Sequence, residues 1–128
     1  LMMRLKSDVL DVLLACTEGR LDRLDLKWST DIALVVIMAA RGYPGEYKKN
    51  TIISNLKSAE NVDHVKVFHS GTSKSGKTIV ASGGRVLGVT GLAHSVEEAR
   101  NQVYTAIASI DWPDGFYRTD IGLKAVTK

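Results

Sequence analysis

The stretch "GTSKSGKTIVASGGRVLGVT", residues 71–90, decides between two fold classes. Its opening, "GTSKSGKT", satisfies the pattern G-x-x-x-x-G-K-[ST] of a phosphate-binding P-loop. A P-loop requires a helix directly after the pattern, because the N–H groups and the dipole of the helix N-terminus hold the phosphates. The residues after Thr78 are rich in glycine and β-branched side chains, which disfavour a helix. The stretch therefore predicts a β-hairpin that uses Gly76 for a positive-φ turn position, followed by a further strand.

Strands are also predicted before this hairpin. Residues 32–40 form a short, β-rich apolar run, which is typical of a strand buried on both faces. The segment "HVKVFHS", residues 64–70, alternates apolar and polar side chains as a strand does. Between them, "GYPGEY" predicts a tight turn in which Pro44 fixes φ and Gly45 supplies a positive φ.

Helices are predicted near each end of the chain. Apolar side chains recur at helical spacing over residues 2–17, which predicts an amphipathic helix. A second helix is predicted to begin after an N-cap at Ser95, with Glu98 in the capping-box position. Residues 51–60 are ambiguous and fit a short helix. Together these elements predict an α+β fold, with a mostly antiparallel sheet and flanking helices.

Composition indicates one globular domain and argues against two classes of partner. Of the 128 residues, 45% are hydrophobic and 24% charged, and the net charge is only +3. Basic residues are scattered rather than gathered in a stripe with aromatic side chains, so no nucleic-acid partner is predicted. The longest apolar run, residues 32–40, is too short to span a membrane, so no membrane partner is predicted.

The chain contains a single cysteine, Cys16, which rules out an internal disulfide framework. A lone thiol fits a reducing compartment, and no signal peptide is recognisable, so the predicted location is cytoplasmic. The apolar residues 12–15 before Cys16 favour a thiol packed in the core over a nucleophile.

Two glycines before an arginine form the most informative candidate site. Gly83 and Gly84 lack side chains, which lets backbone N–H groups approach a ligand. Arg85 offers five fixed donors suited to a phosphate or a carboxylate. Lys77 precedes Arg85 by eight residues, and a hairpin would bring it to the same end of the sheet. The alternative is a simple bend followed by a surface arginine.

The histidines give no catalytic or metal site. His64 and His69 are five residues apart, which places them on opposite faces of a strand. His94 stands alone near a helix start. With one cysteine, no metal-binding spacing exists, so neither a catalytic group nor a metal ligand is predicted in this chain.

The order of the motifs resembles a known ligase family over residues 4–126. The motifs are "RLKSDVLDVLLAC", "LKW", "VVIMAARGYPGEY", "VKVFHSGT", "ASGGRVLGVTG" and "FYRTDIGLKAV". Together they resemble the C-terminal part of phosphoribosylamine–glycine ligase, also called glycinamide ribonucleotide synthetase. One departure is Ser70, where the family usually has alanine.

The resemblance implies an ATP-grasp ligase of de novo purine biosynthesis. Such an enzyme joins glycine to 5-phosphoribosylamine and uses ATP and Mg²⁺, giving glycinamide ribonucleotide, ADP and phosphate. The resemblance places the nucleotide and magnesium ligands upstream of this chain, in the N-terminal and ATP-grasp domains. Residues 1–40 are then expected to be the end of the ATP-grasp core, and residues 41–128 a C-terminal domain of the rudimentary single-hybrid type. Alone, the chain is expected to be inactive and to bind no cofactor.

The resemblance also suggests roles for particular residues. In related ATP-grasp enzymes a Gly/Arg turn helps to hold the ribose phosphate, which points here to Gly84 and Arg85, with Lys77 less certain. Lys6 and Asp8 are candidates for substrate contact or for packing against the preceding domain. The alternative to an enzyme fragment is a stand-alone, non-enzymatic module that binds a phosphorylated metabolite.

Overall fold

Two antiparallel sheets and a few helices form the fold of residues 1–126, which are the residues that the computed structural model describes. The strands are β1 (Ile32–Ala40), β2 (Thr51–Ile53), β3 (Val65–His69), β4 (Thr72–Ser75), β5 (Thr78–Ala81), β6 (Arg85–Ala93) and β7 (Gly115–Phe116). The helices are α1 (Val9–Thr17), α2 (Leu56–Glu60), α3 (Val96–Ser109) and α4 (Leu123–Val126), with short 3₁₀ helices at Met2–Arg4 and Leu21–Arg23. One sheet has the order β3-β6-β1-β7 and the other β2-β5-β4. All of their pairings are antiparallel, so the predicted α+β class is confirmed.

The core lies between the four-stranded sheet and α3. Val36, Leu87, Val103 and Ile107 are among its largest fully buried side chains. Gly91 lets the helix lie close to β6, since a Cβ atom at this position would be 2.9 Å from Val103 Cγ2. Helix α3 therefore covers only one of the two faces of the sheet.

The predicted hairpin is present and no helix follows Thr78. Strands β4 and β5 are joined by a two-residue turn, with Ser75 opposite Thr78. Gly76 has φ of +60°, as the hairpin interpretation requires. The P-loop pattern is therefore a coincidence of turn chemistry.

Strand β1 has the predicted bounds, but the prediction that both of its faces are buried is wrong. Val35 and Ile37 are 47% and 44% exposed, whereas Val36 and Met38, which alternate with them, are buried. The strand is apolar on both faces, but within residues 1–126 only the face toward α3 is covered.

The first helix is shorter than the predicted 2–17. Leu5 pairs with Trp28 in an isolated antiparallel bridge, and Lys6 N donates to the Lys27 carbonyl at 2.8 Å. These non-local bonds hold residues 5–7 in an extended conformation. Helix α1 then begins after Asp8, whose carboxylate caps it by accepting from Leu10 N at 2.8 Å.

Three further local predictions are corrected. Cys16 is exposed and not packed in the core as predicted; Ala15 is the only buried residue of α1. Residues 51–60 divide into strand β2 and helix α2. In the turn after β1, Gly42 has φ of +101° and supplies the positive φ that was predicted at Gly45.

The capping prediction for α3 is confirmed, because Ser95 Oγ accepts a hydrogen bond from Glu98 N at 3.1 Å. Ser95→Ala is expected to lower the free energy of unfolding of the 128-residue chain by about 1 kcal/mol, since it leaves that N–H without its partner. Ser109→Ala, at the other end of the helix, is the matched control and is expected to cost less than about 0.5 kcal/mol. Urea unfolding followed by circular dichroism measures both. Equal losses in the two variants would show that the cap contributes nothing specific.

Candidate functional site

Two of the sequence motifs meet at a backbone contact between glycines. The Gly71 carbonyl accepts hydrogen bonds from Ser82 N at 2.8 Å and Gly83 N at 3.0 Å. A Cβ atom on Gly71 would lie 2.5 Å from the Arg85 carbonyl oxygen and 2.8 Å from Gly83 Cα. The end of "VFHSGT" therefore fits directly against the start of "GGRVLGVT". The absence of a side chain at Gly71 has a packing reason that the sequence did not reveal.

A third motif reaches the same place through Tyr43. A Cβ atom on Gly84 would lie 2.1 Å from Tyr43 Cδ2, so the ring occupies the space where a side chain would point. The Tyr43 ring also meets the ring of Tyr47 edge-on, with centroids 6.2 Å apart. The sequence suggested that the absence of a side chain at Gly84 lets a ligand approach the backbone. In the structure Tyr43 fills that side, and nothing near Tyr43 in the sequence indicated this contact.

The loop that carries Tyr43 is tied to the loop before β7. Arg41 Nη2 lies 3.3 Å from the carbonyl oxygens of both Pro113 and Gly115. Lys48 forms an ion pair with Asp114 at 3.3 Å. The Gly84–Arg85 turn is thus supported by a loop that is itself anchored at both ends.

Arg85 is exposed at the start of β6, a central strand of the four-stranded sheet, and a β-bulge sets the direction of its side chain. Met38 lies opposite Leu87, whereas the next residue, Ala39, lies opposite Arg85. Val86 is therefore an extra residue in β6, and it is buried together with Leu87. The Arg85 side chain makes no hydrogen bond or ion pair with any residue of 1–126, so its donors are available to a ligand.

Lys77 lies away from Arg85, contrary to the prediction that the hairpin brings them to the same end of the sheet. Lys77 is in the turn before β5, and Arg85 follows the other end of that strand. Four residues of strand separate the two ends by roughly 13 Å. The reason is topological, because β5 and β6 belong to different sheets.

Lys6 and Asp8 lie at the opposite end of β1 from Arg85. Lys6 lies near Asp31, just before β1: the pKa of that carboxylate is lowered first by its hydrogen bond with Ser29, and the Lys6 charge makes the smallest contribution. Arg85 pairs with Ala39, seven positions after Ile32, which is roughly 23 Å along the strand. The structure thus adds none of Lys77, Lys6 and Asp8 to the adjacent pair Gly84 and Arg85.

The C-terminal motif "FYRTDIG", for which no site role was predicted, lies beside this site. Phe116 pairs with Ala39 along one edge of β1, and Arg85 pairs with Ala39 along the other edge of that strand. Arg118 donates from Nη2 and Nε to the two carboxylate oxygens of Asp120, at 2.6 and 2.9 Å. These bonds hold the pKa of Asp120 below its usual range. The alternation of charge in "RTD" was the signal for this pair.

The same segment is tied to helix α3 through aromatic and backbone contacts. Tyr104 Oη donates to the Arg118 carbonyl at 2.7 Å, and the Arg100 guanidinium lies 4.7 Å from the centre of the Tyr104 ring. Arg100 also donates to the Thr119 carbonyl at 2.7 Å. Arg100 and Arg118 are thus both engaged in structural contacts, in contrast to Arg85.

The histidines do not gather into a site. His94 Nδ1 is 2.8 Å from Asp31 but its side chain is 91% exposed. Hydrogen bonds from Ser29 and then from His94 hold the pKa of Asp31 below its ordinary value. Within the described part of the chain, no three His, Cys, Asp or Glu side chains are arranged to hold a metal ion. No helix there is long and apolar enough to cross a membrane.

Comparison with known proteins identifies the family. The sequence profile described as "Phosphoribosylglycinamide synthetase, C domain" matches residues 33–124. The phosphoribosylamine–glycine ligase of Brucella melitensis is 50% identical over 128 residues, which are all of this chain and 30% of that enzyme. The chloroplastic ligase of Arabidopsis thaliana is 53% identical over 98% of this chain and 24% of its own length.

A solved structure of the same family has a similar fold. The phosphoribosylamine–glycine ligase of Thermotoga maritima superposes with a TM-score of 0.71 at 26% identity, covering 88% of this chain and 27% of its own. The chain spans under a third of the length of these relatives. It therefore belongs to the phosphoribosylglycinamide synthetase C-domain family, which forms the C-terminal part of phosphoribosylamine–glycine ligases.

Proposed function

We propose that this chain is the C-terminal domain of an ATP-dependent ligase that joins glycine to 5-phosphoribosylamine in purine biosynthesis. The observation that carries the proposal is the 50% identity, over the whole chain, to a phosphoribosylamine–glycine ligase. The products are glycinamide ribonucleotide, ADP and phosphate. The location that we propose is cytoplasmic, although one relative is named as chloroplastic.

We place the ATP and Mg²⁺ ligands in the preceding part of the ligase. The described residues offer no cluster of carboxylate, imidazole or thiol groups suited to a metal ion. The lysine of the P-loop pattern, Lys77, lies in a hairpin turn and not at a helix N-terminus, so the geometry that cradles nucleotide phosphates is missing there. No step of the phosphoryl chemistry is assigned to this domain.

The role of this domain is to bind the ribose phosphate through Arg85. Its guanidinium is exposed, has no partner among residues 1–126, and extends from a backbone that is fixed by the bulge and by the Gly71 contact. A guanidinium that forms two parallel hydrogen bonds can orient a phosphate as well as bind it. Held by its phosphate, phosphoribosylamine would present its amine toward the preceding domain.

We propose that the domain boundary lies before β1 and not after residue 40. The predicted division into residues 1–40 and 41–128 would separate β1 from β6, which pairs with it from Ile32 to Ala39. The family match also starts at residue 33. We propose that residues 1–31 form the end of the preceding ATP-grasp core and that the C-terminal domain starts at β1. Residues 127 and 128 of the predicted domain lie outside the described residues.

Lys6 and Asp8 then belong to the preceding core. The Asp8 carboxylate caps α1, and the backbone of Lys6 is paired with that of Lys27. Both observations favour domain packing over substrate contact for these residues.

An activity assay with the full-length ligase tests the proposal. ADP release is expected to require both glycine and phosphoribosylamine, with glycinamide ribonucleotide detected by mass spectrometry. The 128-residue chain alone is expected to form no product and to show no ATP binding by calorimetry. If the chain alone binds ATP at micromolar concentration and Lys77→Ala abolishes this, the P-loop interpretation is restored. If the full-length protein binds a phosphorylated ribose but forms no product, the non-enzymatic module is favoured.

A further inference from the structure

The four-stranded sheet has one face that α3 does not cover, which we call the outer face. Large apolar side chains on it are partly exposed: Val35 is 47% exposed, Ile37 44%, Phe68 39% and Phe116 38%. They are carried by β3, β1 and β7, and β6 lies between β3 and β1 in the sheet order β3-β6-β1-β7. Exposed apolar side chains that are contiguous in this way mark a surface that contacts another protein surface.

These side chains form one continuous patch around Gly88. Gly88 lies opposite Ile37 on one side and opposite Phe68 on the other. A Cβ atom on Gly88 would be 3.6 Å from both Val35 Cγ2 and Ile37 Cδ1, and 3.9 Å from Phe68 Cβ. Three of the four exposed side chains therefore surround a single glycine and leave a shallow apolar depression.

Leu1, Met2 and Met3 indicate what covers the outer face. They line a cavity of about 290 Å³ together with Val35 and Phe68. The Brucella melitensis ligase matches this chain in full, and the match is the C-terminal 30% of that enzyme. The rest of that enzyme precedes the matched part, so it joins at the position equivalent to Leu1. In that relative the preceding domain is therefore connected at the rim of this depression.

Arg85 connects the outer face to the candidate site. Arg85 and Phe116 both lie opposite Ala39, one on each side of β1, so they share the face that carries Val35 and Ile37. A domain that packs on Val35 and Ile37 would thus reach the start of β6, where the Arg85 guanidinium is exposed.

We propose that the outer face docks against the preceding domain of the same ligase chain, through an apolar surface that buries Val35, Ile37 and Phe68. This inference rests on the proposed function, because that function supplies the preceding domain. Arg85 then lies at the margin of the contact, in the cleft where the two domains meet. The docking explains why the apolar residues of β1 extend to both faces although α3 covers only one.

Cysteine labelling in the full-length ligase tests the docking without relying on activity. Ile37→Cys places a thiol on the outer face, and Ile52→Cys is the matched control, since Ile52 is a strand residue of the other sheet that is 60% exposed. Each variant reacts with a maleimide under native conditions, and mass spectrometry measures the label at the substituted position. The thiol at position 37 is expected to react at least about tenfold more slowly than the thiol at position 52, and at an equal rate in urea. Equal native rates would overturn the proposal.

Dilution separates the two possible occupants of the face. Protection of position 37 is expected to be independent of protein concentration, because the covering domain is in the same chain. Protection that disappears on dilution would reject intramolecular docking and indicate a second copy of the protein. The same preparations are assayed for glycinamide ribonucleotide. If the protein makes product but positions 37 and 52 are labelled at equal native rates, the docking alone is rejected. If position 37 is labelled slowly but the protein makes no product, the proposed reaction alone is rejected.

Discussion

Replacing Arg85 with alanine in the full-length ligase is expected to raise the Michaelis constant for phosphoribosylamine by at least about tenfold. Loss of one hydrogen bond to a charged group costs about 1.5–3 kcal/mol, or roughly 10- to 150-fold in affinity. Arg85→Lys is expected to recover only part of the loss, because an ammonium group is a point charge and not a planar fork. The Michaelis constants for ATP and glycine are expected to stay nearly unchanged. Steady-state kinetics with each substrate varied in turn measures all three.

Lys77→Ala is the matched control for this experiment. It removes one positive charge from the same domain, roughly 13 Å or more from Arg85, a distance at which salt screens most of the interaction between exposed charges. Its constant for phosphoribosylamine is expected to stay within about twofold of wild type. A well-folded Arg85→Ala enzyme with a wild-type constant would show that Arg85 is a surface residue. An effect of Lys77→Ala as large as that of Arg85→Ala would show that phosphate binding depends on long-range charge.

Gly71→Ala is expected to lower the free energy of unfolding of the 128-residue chain by about 2–3 kcal/mol. The new methyl group would meet backbone atoms, at 2.5 Å from the Arg85 carbonyl oxygen and 2.8 Å from Gly83 Cα. Neither atom can rotate away as the end of a side chain does, so one strand must move. Urea unfolding of the two proteins gives the difference.

Gly88→Ala is the control for Gly71→Ala, since both glycines lie in or beside strands of the same sheet. Its methyl group would meet only side chains, at 3.6 Å or more. The expected cost is less than about 1 kcal/mol. If the two variants are equally stable, the backbone contact at Gly71 is able to relax and does not fix the Arg85 turn.

Local sequence signals predicted the parts of the fold that depend on neighbouring residues. The turn at Gly76 and the cap at Ser95 each involve a side chain or backbone angle that acts within a few residues, and both are confirmed. The bounds of β1 were also predictable, because a continuous apolar run ends at turn residues. The same run cannot show which face is covered, since that depends on where α3 lies.

The predictions that are wrong depend on distant parts of the chain. Residues 5–7 are extended because they bond to residues 27 and 28. Tyr43 fills the space beside Gly84 although 41 positions separate them in the sequence. Lys77 and Arg85 are close in sequence, yet they are separated because β5 and β6 join different sheets. The role of Gly84 and Arg85 in the candidate site stays a prediction from residue types, and the contacts that surround this pair were not predictable from the sequence.

Because Val86 is an extra residue in β6, Arg85 also disfavours an alternative pairing of β6 with β1. With the bulge, Arg85 lies opposite Ala39 on the outer face; in an uninterrupted ladder Val86 would take that place and Arg85 would turn toward the core. Pairing of β6 without the bulge would therefore turn the Arg85 guanidinium toward the core side, where an unpaired charge costs several kcal/mol. An apolar residue at this position would leave both pairings accessible to the folding chain. The residue proposed to recognise substrate thus also penalises the wrong strand alignment, and Arg85→Ala would remove both effects at once.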